Sequence, residues 1–252
     1  MRKLLAYLFF IFFAGNAFSQ GFDWQYSARL PFEIPKYFIG VTADFDYYES
    51  VGNFNFAENE ISCCRFRDGK GYGWSAGLAG ERWLTGSLAT FGNIKFEYIP
   101  SNFKIQVSLP RNDTTTYISE YEYQASHSFI DIILGLKYRI MQTHFHVGAA
   151  VKMQFLLIQD NQHLERIISP PEEYFPTNPP SQERQISKGQ IPEIRQFIFT
   201  PSVQLGYDLN LGLGTYSTPY FSVEFPVMDA ISEGNWRRWA FSAGLRIYYG
   251  IK

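Results

Sequence analysis

The residues best placed to do chemistry lie in "YISEYEYQASHS", where His127 stands between Ser126 and Ser128, downstream of Glu120 and Glu122. Serine, histidine and a carboxylate are the parts of a nucleophile, base and orienting acid. A second candidate is "THFHV", which sets His144 and His146 two residues apart. On a strand that spacing puts both rings on one face, as a metal-ligand pair would need. Neither stretch carries a Gly-x-Ser-x-Gly or His-Glu-x-x-His pattern. With four histidines in the chain and no orienting constellation, the expectation is no enzyme, no catalytic residue, no metal site and no cofactor.

A third set is larger. Asp44, Asp46, Glu81, Lys95, Glu97, Asp131, Lys137, Arg139, Lys152, Asp208, Glu224 and Arg246 each sit in an alternating segment, on the face opposite the apolar residues. Seven acids and five bases enclosed together must pair, because an unpaired buried charge is costly. Such a set makes either a polar plug or a gated path for ions, and its near balance favours the plug.

The elements that would carry these charges are strands. In the closing "WAFSAGLRIYYGIK", alternate residues from Trp239 to Ile251 are apolar, while the others include Ser242, Gly244 and Arg246. The same period of two recurs along the chain and helical periodicity is scarce. Eight strands are predicted, at 37–48, 72–84, 87–99, 118–140, 143–158, 194–209, 216–228 and 236–251. The fourth is too long for one bilayer crossing, so its first half should stand above the membrane as a hairpin extension. Long loops at 49–71, 100–117 and 159–193 alternate with tight turns at Thr85–Gly86 and Met141–Gln142. Short turns on one side and long loops on the other match an outer-membrane barrel, with the turns and both termini in the periplasm.

Alternation alone does not say which face meets water. A soluble eight-stranded barrel alternates too, with its apolar face inside. The polar face here is rich in Gly, Ala, Ser and Thr between its charges, which suits a narrow interior. Aromatic residues gather at the strand ends: Tyr37, Trp83, Tyr138, Phe145, Tyr207 and Tyr249 near the turns, and Tyr47, Trp74, Tyr98, Phe155, Phe197, Phe225 and Trp239 near the loops. Two bands of rings match interfacial girdles. The fold expected is therefore all-β, an eight-stranded antiparallel up-and-down transmembrane β-barrel. Its apolar face meets outer-membrane lipid, and closure of the last strand on the first leaves no bare edge.

On the final strand, Ser242, Gly244, Ile247 and Tyr249 follow the polar-x-Gly-x-x-apolar-x-aromatic pattern of a barrel assembly signal. With this strand and the hairpin "HSFIDIILGLKYRI"/"HFHVGAAVKMQFLL", the chain resembles small outer-membrane barrels of the OmpA/OmpX type and especially the PorT-like barrel domain. The terminal Lys252 departs from the usual final aromatic. The resemblance implies the barrel assembly machinery as a partner during biogenesis, and a protein partner in an envelope or secretion complex. Some eight-stranded barrels are lipid-modifying enzymes, a reading that here would depend on His127. A small pore and an extracellular ligand-binding barrel are the alternatives to a structural or interaction role.

The remaining features set limits. A net charge of -2 and a pI of about 6.1 give no basic excess for nucleic acid. Arg2 and Lys3, an apolar run from Leu4 to Ala14, and small residues Ala17 and Ser19 read as a signal peptide over 1–19. A periplasmic segment over 20–36 and the barrel over 37–252 follow. Cys63 and Cys64 are adjacent, and the sequence leaves their state open. Within 159–193, prolines surround Tyr174 and Phe175 in "PPEEYFPTNPP". These two rings are the candidate anchors of an extracellular docking loop.

Overall fold

The computed structural model describes residues 35–54, 66–112, 115–140, 143–177, 179–189, 194–212, 214–232 and 234–251. The predicted signal peptide, most of the 20–36 segment and both cysteines lie outside them. The described chain forms ten strands: β1 (Tyr37–Phe54), β2 (Phe66–Trp83), β3 (Leu88–Asn112), β4 (Thr115–Arg139), β5 (Phe145–Ser169), β6 (Glu183–Gly189), β7 (Phe197–Tyr207), β8 (Leu209–Gly212), β9 (Thr215–Glu224) and β10 (Asn235–Ile251). Neighbours pair antiparallel in the order β10, β1, β2, β3, β4, β5, β7, β9, and β9 returns to β10. The protein is thus a closed barrel of eight wall positions, and closure satisfies every edge that would otherwise face hydrocarbon.

Which way each side chain points follows from the pleat. On β10, Ala243, Leu245, Ile247, Tyr249 and Ile251 are exposed, whereas Ser242, Arg246 and Tyr248 are buried. From Trp239 to Tyr249 the strand rises about 33 Å, which at a tilt of about 40° covers about 25 Å of the membrane normal. Ile39, Val41, Phe45, Leu78, Ile94, Leu134, Leu136, Val203 and Leu205 continue the exposed apolar band around the wall. A closed barrel with an apolar outer band and buried charges inside is a small outer-membrane barrel, and the bacterial outer membrane is its location.

Above the band the polarity inverts. On β3, even-numbered residues point outward up to Ser108. They are apolar at Ile94 and Phe96 but polar at Asn102, Lys104 and Gln106. Odd-numbered residues point inward and change from Lys95 and Glu97 to Ile99 and Phe103. β4 inverts likewise, from Ile132 outside and Asp131 inside to Gln124 outside and Tyr123 inside. These two strands therefore pass from lipid into water near Tyr98 and Ser128, and the upper barrel packs like a water-soluble protein.

That upper tower corrects three expected loops. β1 and β2 reach Phe54 and Phe66, which pair with each other. Residues 100–112 continue β3 and pair with β4, even through Pro100, which sits opposite Ser126. The predicted hairpin extension of the fourth strand exists, and its partner is this segment. β5 runs to Ser169, and β6 folds back beside Asn161–Arg166. The predicted sixth strand appears as β7 and β8, separated at Asp208, whose amide donates instead to His144 O at 2.9 Å. Trp83, assigned to the outer girdle, points inward and is 9% exposed, because it shares parity with Glu81 on β2.

Candidate functional site

The interior is a stack of charge layers. Nearest the periplasm, Lys137 Nζ donates to Glu81 Oε2 and Asp208 Oδ1, both at 2.9 Å. Tyr216 OH donates to Glu81 Oε1 at 2.5 Å, and Thr218 Oγ1 to Asp208 Oδ1 at 2.8 Å. Arg139 lies 3.4 Å from Asp208 and covers the Trp83 ring, 4.3 Å from its centroid. At the next level Asp44 accepts from Lys95 and Tyr220, and from Ser75 at 2.9 Å. Arg246 stacks on the Tyr220 ring at 3.8 Å and donates to Gln204 Oε1 at 2.8 Å. Higher still, Lys152 bridges Glu97 at 2.7 Å and Glu224 at 2.8 Å, with Asp131 at 3.7 Å. Gln154 and Tyr48 donate to Glu97 at 2.5 and 2.8 Å.

Every residue of the predicted charge set thus points into the lumen. Lys137 and Lys152 are 0% and 2% exposed, so their ammonium groups depend on these carboxylates for solvation. Sequence reasoning missed the neutral donors Tyr48, Gln154, Tyr216, Thr218 and Tyr220, and the acceptor Gln204. Parity could have found them, since Tyr48 follows Asp44 and Asp46 inward, and Tyr216, Thr218 and Tyr220 precede Glu224.

Above the charges lies an apolar cap. Phe66, Ile99, Phe103, Tyr121, Tyr123, Phe129, Ile194, Ile198, Ile231 and Trp236 pack as one cluster inside the tower. Phe103 meets Trp236 edge-on at 5.1 Å. The inward residue of β2 opposite Phe103 is Gly69, and a Cβ there would collide with that ring's Cε1 and lie only 2.5 Å from Cδ1 and 2.7 Å from Cζ. Small residues on β2 are therefore what let the rings reach the wall. At the top, Glu165 accepts from Ser119 and Tyr121 at 2.9 Å each, and Arg184 Nε at 2.8 Å.

The histidine candidates are not brought into one site with their proposed partners. His127 is 1% exposed and packs beside Phe129 and Trp236. Glu120 and Glu122 have the opposite parity and lie on the outer face, 3.6 and 3.0 Å from Lys104. Burial opposes ionisation of Glu122, but hydrogen bonds from Gln124, Asn102 and Lys104 outweigh it and hold the carboxyl below its ordinary range. The bond to Glu122 in turn raises Lys104. Ser126 Oγ accepts from Tyr98 at 3.2 Å. His146 is buried 3.5 Å from Asp208, while His144 packs against Tyr207.

The docking-loop pair also divides. Tyr174 is 58% exposed, as an anchor requires, but Phe175 is 8% exposed. Its backbone pairs with Ser181, and Arg184 covers its ring at 4.5 Å. Phe175 is therefore a pin that holds the 170–182 segment on the tower, which corrects its assignment as a free anchor. In the final strand, Ser242 and Gly244 face the lumen and Ile247 and Tyr249 face lipid. A Cβ on Gly244 would collide with Asp44 and lie 2.7 Å from Tyr220 Cζ.

No protein-family model and no curated protein sequence matches the chain. Solved structures do show similar barrels. The outer membrane protein AlkL is 11% identical, covering 90% of this chain and 95% of its own, with a TM-score of 0.41. OprG from Pseudomonas aeruginosa is 8% identical over 87% of this chain and 98% of its own, at 0.36. The attachment invasion locus protein Ail of Yersinia pestis is 6% identical over 86% of this chain and 100% of its own, at 0.34. The membrane assignment rests on the chain's own apolar band rather than on these likenesses.

Proposed function

We propose that this protein is a non-enzymatic, non-conducting outer-membrane barrel that displays a rigid extracellular tower to a protein partner, as a subunit of an envelope or secretion complex. The observation that carries the reading is the packed apolar cap over the salt-bridged lumen. A conduit would leave its axis open to water, whereas this axis is filled by rings above and ion pairs below. Strands longer than the roughly 9–11 residues of one crossing extend the barrel into the medium, where β3–β6 form a firm platform carrying Tyr174. The final strand, with Ile247 and Tyr249 outward, is the handle we assign to the barrel assembly machinery.

Two measurements test this. In planar bilayers the purified barrel should show no steady conductance, and sustained single-channel steps would overturn the plug. After gentle detergent extraction from outer membranes, native mass analysis should find the chain in a larger assembly. A lone monomer under those conditions would overturn the subunit reading. Deleting 168–182 should leave a folded barrel and abolish the assembly; an assembly that survives the deletion removes the loop from the interface.

A further inference from the structure

The middle of the lumen has one carboxylate too many. Asp44, Asp46, Glu97, Asp131 and Glu224 face Lys95, Lys152, Arg246 and, from just above, Arg238. Lys95 is committed to Asp44, and Lys152 to Glu97 and Glu224. Asp131 is 1% exposed with neither carboxylate oxygen hydrogen-bonded, and the Lys152 ammonium 3.7 Å away is already shared by Glu97 and Glu224; Asp46 Oδ2 likewise accepts no hydrogen bond. Both carboxylates line a void of about 20 Å³, shared with the hydroxyl residues Ser202 and Ser222 and with Gln204. That is room for about one water-sized particle. A buried carboxylate that accepts no hydrogen bond and only shares a distant ammonium is costly, so the void is the place where the missing positive charge would be most strongly held.

We infer that this mid-lumen void is a binding site for one small monovalent cation, held by Asp131 and Asp46 and completed by the nearby hydroxyls. The occupant is a single positive charge among oxygens, a sodium ion; a proton would instead sit on a carboxylate oxygen and leave a neutral carboxyl group with no ion in the void. A divalent ion is disfavoured, because one excess negative charge balances only one positive one and three cationic heads border the same void. The site is independent of what the tower binds, so its success or failure does not decide the partner reading.

The experiment is thermal unfolding of the full chain, folded in lipid vesicles, at constant ionic strength. Sodium chloride is compared with N-methylglucamine chloride between pH 6 and 9. If sodium is the occupant, the midpoint at pH 8.5 should be higher in sodium by about 3–6 °C. Asp131→Asn, which removes the excess charge at nearly constant volume, should abolish the sodium dependence, whereas the exposed Glu183→Gln should not. Should Asp131→Asn fail to fold, Asp46→Asn serves the same purpose. A midpoint that falls as pH rises equally in either salt would mean that a carboxyl proton neutralises the excess charge, and would overturn the site. So would a wild-type midpoint insensitive to sodium, or a sodium dependence that persists in the folded Asn variant.

Discussion

Replacing Lys137 with Met tests whether the lumen is dry. The ammonium group is buried between Glu81 and Asp208, 2.9 Å from each. Its Nζ also lies over the rings of Trp83 and Tyr216, 5.2 and 5.4 Å from their centroids. Methionine fills a similar volume and removes the charge together with these cation–π contacts. Asp208 would retain Arg139 and Thr218, but Glu81 would keep a single donor, Tyr216. Stranding one partner of a buried pair costs about 3–5 kcal/mol, a factor of roughly 150 to 4,000 in the folding equilibrium. Adding Glu81→Gln removes the stranded charge, so the double variant should recover about 2 kcal/mol or more, which a double-mutant cycle reads as coupling. Urea unfolding in lipid vesicles, followed by tryptophan fluorescence, measures both. If Lys137→Met unfolds within about 1 kcal/mol of the wild type, water already solvates Glu81. The interior would then be wet, and the plug argument would fail with it.

Three further outcomes follow from the same geometry. Gly244→Ala should destabilise the barrel by about 1–3 kcal/mol, because its methyl group would displace Tyr220 and Asp44; an unchanged urea midpoint would show that this wall has slack. Tyr174→Ala should leave stability unchanged and weaken partner capture, whereas Phe175→Ala should expose the 170–182 segment to protease; equal effects from both would contradict the pinned loop. Glu122 is held below its ordinary range by its hydrogen bonds, so its contribution is present at neutral pH and is lost as pH falls through that lowered value. Because Lys104 is about half exposed, the contribution is a fraction of a kcal/mol. An NMR titration should find the Glu122 midpoint low and moved upward by Lys104→Met; a midpoint above the ordinary carboxylate range would refute the assignment.

The inversion of polarity along β3 and β4 separates two kinds of interior. Within the membrane, apolar side chains can face lipid, so the lumen is left to the charged residues. Above it, water takes the outer face, so rings such as Phe103 and Tyr123 turn inward at the same parity that carries Lys95 and Asp131 lower down. The tower is consequently held by hydrophobic burial and the spanning region by ion pairing. High salt should perturb neither strongly, since both are screened from solvent.

The sequence by itself determined the strand period, the barrel class, the inward charge set and the aromatic ends. Each of these is a property of one pleated strand read along its own length. "FKIQVS" shows that 103–108 also alternates, within the stretch expected to be a loop. The parity of Trp83 with Glu81, and of His127 against Glu120 and Glu122, is equally legible in the sequence. Tertiary structure decided the rest, because it depends on how strands are staggered around the ring. The register between β4 and β5 shifts where Phe129 faces Leu156 and Ser128 faces Ile158, which reverses parity above it. That bulge, not any local pattern, turns His163 and Glu165 inward. Asp44 meets Tyr220, 176 residues away, and Phe175 folds under Arg184. No spacing along the chain encodes such meetings, since they are set by closure of the whole sheet across a lumen only a few side chains wide.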